Sequence, residues 1–101
     1  MTLEHLLDQM TRICEADVGP FIQELRIDAG ITQKMASDAT GFSIQTVSKF
    51  ENGKSNPNSF SSRQITRYIL EEIGINTGEA LVLFYKYRQE DEDLPIIMPV
   101  Q

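Results

Sequence analysis

Ser43, Ile44, Gln45, Thr46, Ser48 and Lys49 are the residues whose types and spacing could do chemistry, and that chemistry is recognition rather than bond-breaking. On a helix, positions 44, 45, 48 and 49 share one side, while Val47 and Phe50 fall on another. A carboxamide such as Gln45 presents a donor and an acceptor side by side, and an ammonium such as Lys49 presents three donors. Gln45 can bond bidentately to adenine N6 and N7, Lys49 can donate to guanine O6 and N7, and Ile44 can lie against a thymine methyl group. The short hydroxyls of Ser43, Thr46 and Ser48 suit phosphates or base edges. Bond-breaking chemistry has little to draw on. The chain has one His and one Cys. His5 and Cys14 lie more than two turns apart on one predicted helix, and there is neither a Gly-rich phosphate loop nor metal-ligand spacing. We therefore expect no enzyme, no metal and no cofactor. A single Cys14 cannot close an internal disulfide and fits a reducing cytosol.

The elements that must position these residues read as helices. Leu3, Leu6, Leu7, Met10, Ile13 and Cys14 recur at helical spacing behind Thr2, a suitable N-cap. Asp17 offers a second cap, with Pro20 near the start of its helix and Phe21, Ile22, Leu25 and Ala29 along it, closed by Gly30. Thr32 caps a short helix that Gly41 stops, and Ser43 caps the next, from Ile44 to about Phe50. Asn52-Gly53 and a polar loop follow. A serine-capped helix carrying Ile65, Ile69, Leu70 and Ile73 ends at Gly74. Asn76 and Glu79 open the last helix as a capping-box-like pair that runs to about Glu90. No segment before the tail alternates apolar and polar residues over a strand's length. The expected architecture is all-α, a compact bundle of about six helices. Its organisation divides into an N-terminal amphipathic helix (1–16), a central unit (17–75), and a C-terminal helix with an apolar tail (76–101).

The chain has 101 residues, room for one small domain. Its net charge of −6 argues globally against a polyanionic partner, but the charge is unevenly placed. Residues 1–17 hold four acidic residues against Arg12, and residues 71–101 hold seven against Lys86 and Arg88. Residues 18–70 hold six basic against four acidic. Any anion is met by the centre. The longest apolar run, residues 80–85, is far short of the roughly 20 needed to span a membrane. No basic stretch precedes an apolar core at the N-terminus, so a secretory leader is not expected.

The central unit carries several recognisable pieces at fixed spacing: Glu24-Leu25-Arg26; Gly30-Ile31-Thr32-Gln33; Gly41-Phe42-Ser43; Thr46 through Lys54 (Thr-Val-Ser-Lys-Phe-Glu-Asn-Gly-Lys); and Asn56-Pro57. Together they resemble the Cro/repressor, or XRE-type, helix-turn-helix DNA-binding proteins over roughly residues 21–75. The resemblance implies a phage-repressor-like helix-turn-helix core and a transcription regulator of double-stranded DNA, a repressor dimeric on a palindromic operator. It implies base reading at Ser43, Ile44, Gln45 and Lys49, and backbone clamps at Gln33 and Asn52. Thr46, Ser48 and Lys54 join the phosphate contacts. It also implies that Arg26 and Glu51 form a structural ion pair, which keeps Glu51 out of the DNA site, with a phosphate contact as the alternative for Arg26. A bacterial, phage or plasmid cytoplasm follows from the same likeness. Two departures stand out. Ala36 and Thr40 occupy positions that are larger aliphatics in most relatives, a thin spot that Met35 or the N-terminal helix is expected to fill. The stretch from Pro57 to Gly74 is about one helical turn longer than is common. Arg63 and Arg67 lie in it, as alternative phosphate contacts or partners of Glu71.

Outside this core, Ala80 through Tyr85 is apolar almost all round its helix. Such a helix wants a second surface, and Leu81, Phe84 and Tyr85, with Ile96 and Ile97 of the tail, are candidates for a homodimer or partner contact. Burial against residues 3–14 is the alternative. Two further readings stay open: an antitoxin of the helix-turn-helix type whose acidic or apolar end masks a toxin, and a protein-interaction module that has lost DNA.

Overall fold

Thr2, Thr32, Ser43 and Ser59 each accept, through the side-chain hydroxyl, an amide hydrogen three residues ahead, and each such bond starts a helix. The computed structural model describes residues 1–92, with side chains through residue 89. Ile96 and Ile97 therefore lie outside the described residues. Five helices and no strand occur among the described residues: α1 (Leu3–Asp28), α2 (Gln33–Thr40), α3 (Ile44–Glu51), α4 (Phe60–Ile73) and α5 (Thr77–Glu92). The all-α class stands, but the count of six is corrected. The break expected near Asp17 is instead a bend inside α1, where Cys14 leaves helical geometry at φ −165° and ψ 100°. Asp17 is not a cap. It accepts from Arg88 Nε at 3.0 Å, tying α5 to α1. Asn76 and Glu79 exchange backbone and side-chain bonds of 2.8 and 2.9 Å at the entry to α5.

α1 packs on α3, α4 and α5, and α2 packs on α3 and α4. The shared core runs through Leu6, Leu7, Met10, Val18, Phe21, Ile22, Val47, Phe50, Ile65, Ile69 and Phe84, all at most 2% exposed. Phe84 corrects an expectation. It was a candidate interface residue, yet it is fully buried, with its ring edge-on to Phe21 at 5.2 Å. Tyr87 closes the same aromatic cluster from the next turn, 5.5 Å from Phe21. The apolar circumference of α5 is thus largely explained within one chain: Ala80 and Phe84 face α1 and the core, while Leu81 and Leu83 pack at its margin. Only Val82 (57% exposed) and Tyr85 (50%) stand out on the far side. Met35, expected to fill the thin spot beside Ala36, is 44% exposed and does not.

Arg63 points to α1, where its Nη1 meets Glu4 Oε2 at 3.5 Å, rather than to Glu71. Arg67 lines an open cavity of about 320 Å³ with Met1, Leu3, Leu70 and Ile75.

Candidate nucleic-acid interface

The turn between α2 and α3 is set by Gly41, at φ +84°, a left-handed conformation that side chains with a Cβ rarely adopt. Ser37 Oγ then donates to Phe42 O at 2.5 Å, and Ser43 accepts from Thr46 N at 3.1 Å. Those two bonds fix where the chain leaves one helix and enters the next. Val47 and Phe50 are buried, so α3 has a defined inner side. Its outer side follows from the 3.6-residue period: Ile44, Gln45 and Lys49 are exposed, and Thr46 and Ser48 are partly so. The side chains of Gln45, Lys49 and Lys54 have no hydrogen bond or ion pair among the described residues.

The far end of α3 is held from within. Arg26 Nε donates to Glu51 Oε2 at 2.6 Å, and its Nη2 donates to Glu51 Oε1 at 2.9 Å. The pair forms a planar two-bond fork with side chains only 8% and 0% exposed. A third donor, Nη1, reaches Ile31 O at 2.7 Å. Gln33 Nε2 adds a bond to Glu51 Oε1 at 3.0 Å. One carboxylate therefore gathers the first helix, the start of α2 and the end of α3.

The candidate residues fall into three groups. Ser43 and Thr46 share a hydroxyl–hydroxyl contact of 3.0 Å at the start of α3. Ser48 and Asn52 are joined at its end, where Asn52 Nδ2 donates to Ser48 Oγ at 3.3 Å. Gln33 lies half-buried at the first position of α2, tied to that same end through Glu51. Lys54 follows Asn52 in the exposed turn. Leu81 and Tyr85 are on α5, a different part of the molecule.

Two residues that the pattern did not single out matter here. Gly19, buried in α1, lies so close to α3 that an added Cβ would fall 1.9 Å from Phe50 O and 3.2 Å from Glu51 Cα. No local signal marks it, because its reason is a neighbour more than thirty residues away. Phe60, the first residue of α4, is 62% exposed and meets Phe42 edge-on at 6.1 Å.

A short turn with a left-handed glycine, a buried inner side on the second helix and a polar outer side whose Gln45 and Lys49 side chains have no partner among the described residues define a helix-turn-helix domain. Residues 22–69, close to half of the chain, match the family model described as helix-turn-helix, which is of the XRE type. No curated protein and no solved structure matches it. No helix among the described residues is long and apolar enough to cross a membrane.

Proposed function

We propose that this protein is a sequence-specific transcription regulator, a cytoplasmic repressor that binds a palindromic DNA site as a dimer. The observation that carries the reading is the outer side of α3. Ile44, Gln45 and Lys49 are exposed, and the side chains of Gln45 and Lys49 have no partner among the described residues, on a helix whose other side is locked into the core. A helix of this diameter enters the major groove, where each base pair offers a distinct donor and acceptor pattern. Ser43, Ile44, Gln45 and Lys49 read bases. Gln33, Thr46, Ser48, Asn52 and Lys54 hold phosphates. Gln33 keeps a second amide hydrogen after bonding Glu51, so it can serve DNA and the internal network together. The overall negative charge is compatible with this role, because the anion-facing part of the chain is its basic centre.

The test is fluorescence anisotropy on a duplex enriched by this protein from a random-sequence pool, titrated with salt. Gln45→Ala and Lys49→Ala should each weaken specific binding by about 1–3 kcal/mol, or roughly 5- to 150-fold. Gln45→Ala should also relax base preference at one position. Lys54→Ala should weaken all duplexes alike and lower the salt slope by about one charge. If the pool yields no preferred duplex, or if Gln45→Ala and Lys49→Ala bind like the parent, the reading is wrong.

The dimer contact belongs to the outer side of α5. Val82 and Tyr85 are one turn apart and both half-exposed, the most apolar pair left uncovered on that helix. Two recognition helices about 34 Å apart then address two half-sites. Val82→Ser with Tyr85→Ser should leave the melting temperature within a few degrees, since neither side chain is in the core. It should shift sedimentation from dimer to monomer and weaken binding to a two-half-site duplex. An unchanged sedimentation profile would remove α5 from the dimer contact.

A further inference from the structure

We propose that Ile44 and Phe60 form one apolar strip that reads the C5-methyl group of a pyrimidine in the major groove; this rests on the DNA-binding reading above. Phe60 is the most exposed large apolar side chain in the described structure, and Ile44 is 44% exposed. They belong to different helices, α3 and α4, whose starts are linked through Phe42. Phe60 is edge-on to Phe42 at 6.1 Å and an interplanar angle of 75°, and Phe42 directly precedes Ser43, the cap of α3. Phe42 is itself fixed, because its carbonyl accepts from Ser37 and its ring packs on the core. The phenyl ring of Phe60 is thus held beside the N-terminal end of α3, where Ile44 begins the helix.

A ring at that place has few favourable partners on DNA. It cannot bond a phosphate, and the base edges of the major groove are polar except for one group, the methyl on thymine C5. Cytosine methylated at C5 carries the same group at the same position. Two uncharged apolar side chains around the start of a groove-entering helix match that chemistry. Phe42 supplies the platform that keeps the ring out in solvent. Gln45 and Lys49 supply the polar reading further along, so methyl reading adds a distinct contribution to specificity.

The experiment uses the full chain and a duplex that it enriches from a random pool. Each thymidine is replaced in turn by deoxyuridine, which removes only the methyl group. One replacement per half-site should weaken binding about 4-fold, the loss that corresponds to roughly one buried carbon. Phe60→Ala should bind the parent duplex about 10-fold more weakly and be indifferent to that replacement, and Ile44→Ala should behave in the same way. Phe60→Leu, which keeps an apolar side chain, should retain most of the methyl dependence. Placing deoxycytidine there, with guanine opposite, should weaken binding, and 5-methyldeoxycytidine should recover about 4-fold of that loss.

Three results overturn the proposal. Phe60→Ala could bind with unchanged affinity. It could lose affinity while keeping the full methyl dependence, which would put the ring on a deoxyribose. It could change the oligomeric state, which would assign the ring to a second copy. Failure of the underlying reading looks different: no duplex is enriched, and Gln45→Ala is silent as well.

Discussion

Replacing Glu51 with Ala should lower the melting temperature by about 15 °C or more. The substitution removes a carboxylate that is fully buried and leaves Arg26, itself buried, with two of its guanidinium donors unmatched. Breaking one half of a buried pair typically costs about 3–5 kcal/mol, because the remaining charge stays desolvated. In a chain of this size each kcal/mol moves the midpoint by roughly 4–8 °C. Gln33 also loses its partner on Oε1, and Ile31 O is left as the one acceptor still facing the guanidinium. The decisive control is the double variant Arg26→Met with Glu51→Leu. It removes both charges and keeps similar volume, so it should recover most of the loss. If the single and double variants melt alike, packing rather than charge is what the pair contributes. Salt should matter little to the size of this loss, since a pair this deep is poorly screened.

Gly19→Ala should be nearly as damaging, by another route. The added methyl group would sit 1.9 Å from Phe50 O and 2.9 Å from Phe50 C, both backbone atoms that cannot swing aside. α1 and α3 must separate, and overpacking of this kind costs about 3 kcal/mol or more. A drop of roughly 12 °C or more is expected by calorimetry or circular dichroism. The displacement falls at the end of α3 that carries Phe50 and Glu51, so specific DNA affinity should fall even at temperatures where the variant is folded. Gly78→Ala on α5 is the comparison. Its added methyl would meet only the tip of the Asn76 side chain, at 3.3 Å, and it should be tolerated. Equal melting temperatures for the two variants would mean that α1 and α3 can relax apart at no cost.

The helix starts were legible because each rests on a short polar residue acting within three positions of itself, as at Thr32 and Ser43; at α4 the sequence offers Ser59, Ser61 and Ser62 alike, and Ser59 is the cap. The turn was legible for the same reason, since Gly41 answers a local backbone demand. What the pattern could not supply was partnership across distance. Asp17 reads as a cap, and only the arrival of Arg88 from 71 residues away makes it an ion-pair partner. Ala80 through Tyr85 reads as a surface needing a second subunit, yet Phe84 finds Phe21 inside the same chain. Gln33 reads as a phosphate contact, and nothing local says that Glu51 is in reach. Arg63 reads as a phosphate contact or a partner of Glu71, and it faces Glu4 instead. The candidate site was readable as a set of residue types on one side of a helix. The network that stiffens that helix was readable only in part, through a resemblance that implied the pairing of Arg26 with Glu51.

The distribution of the buried core bears on modularity. The matched segment begins at Ile22 and stops at Ile69, yet Leu3, Leu6, Leu7, Met10, Val18, Phe21, Leu70, Ala80 and Phe84 lie outside it, and these are more than half of the buried apolar side chains in the described residues. A graft that transplanted residues 22–69 alone into another protein would carry an inner surface with no cover. The proposed reading head can be retargeted by exchanging the outer side of α3, because no described residue bonds the side chain of Gln45 or Lys49. The unit that is cut and moved, by recombination or by an engineer, has to include both flanking helices.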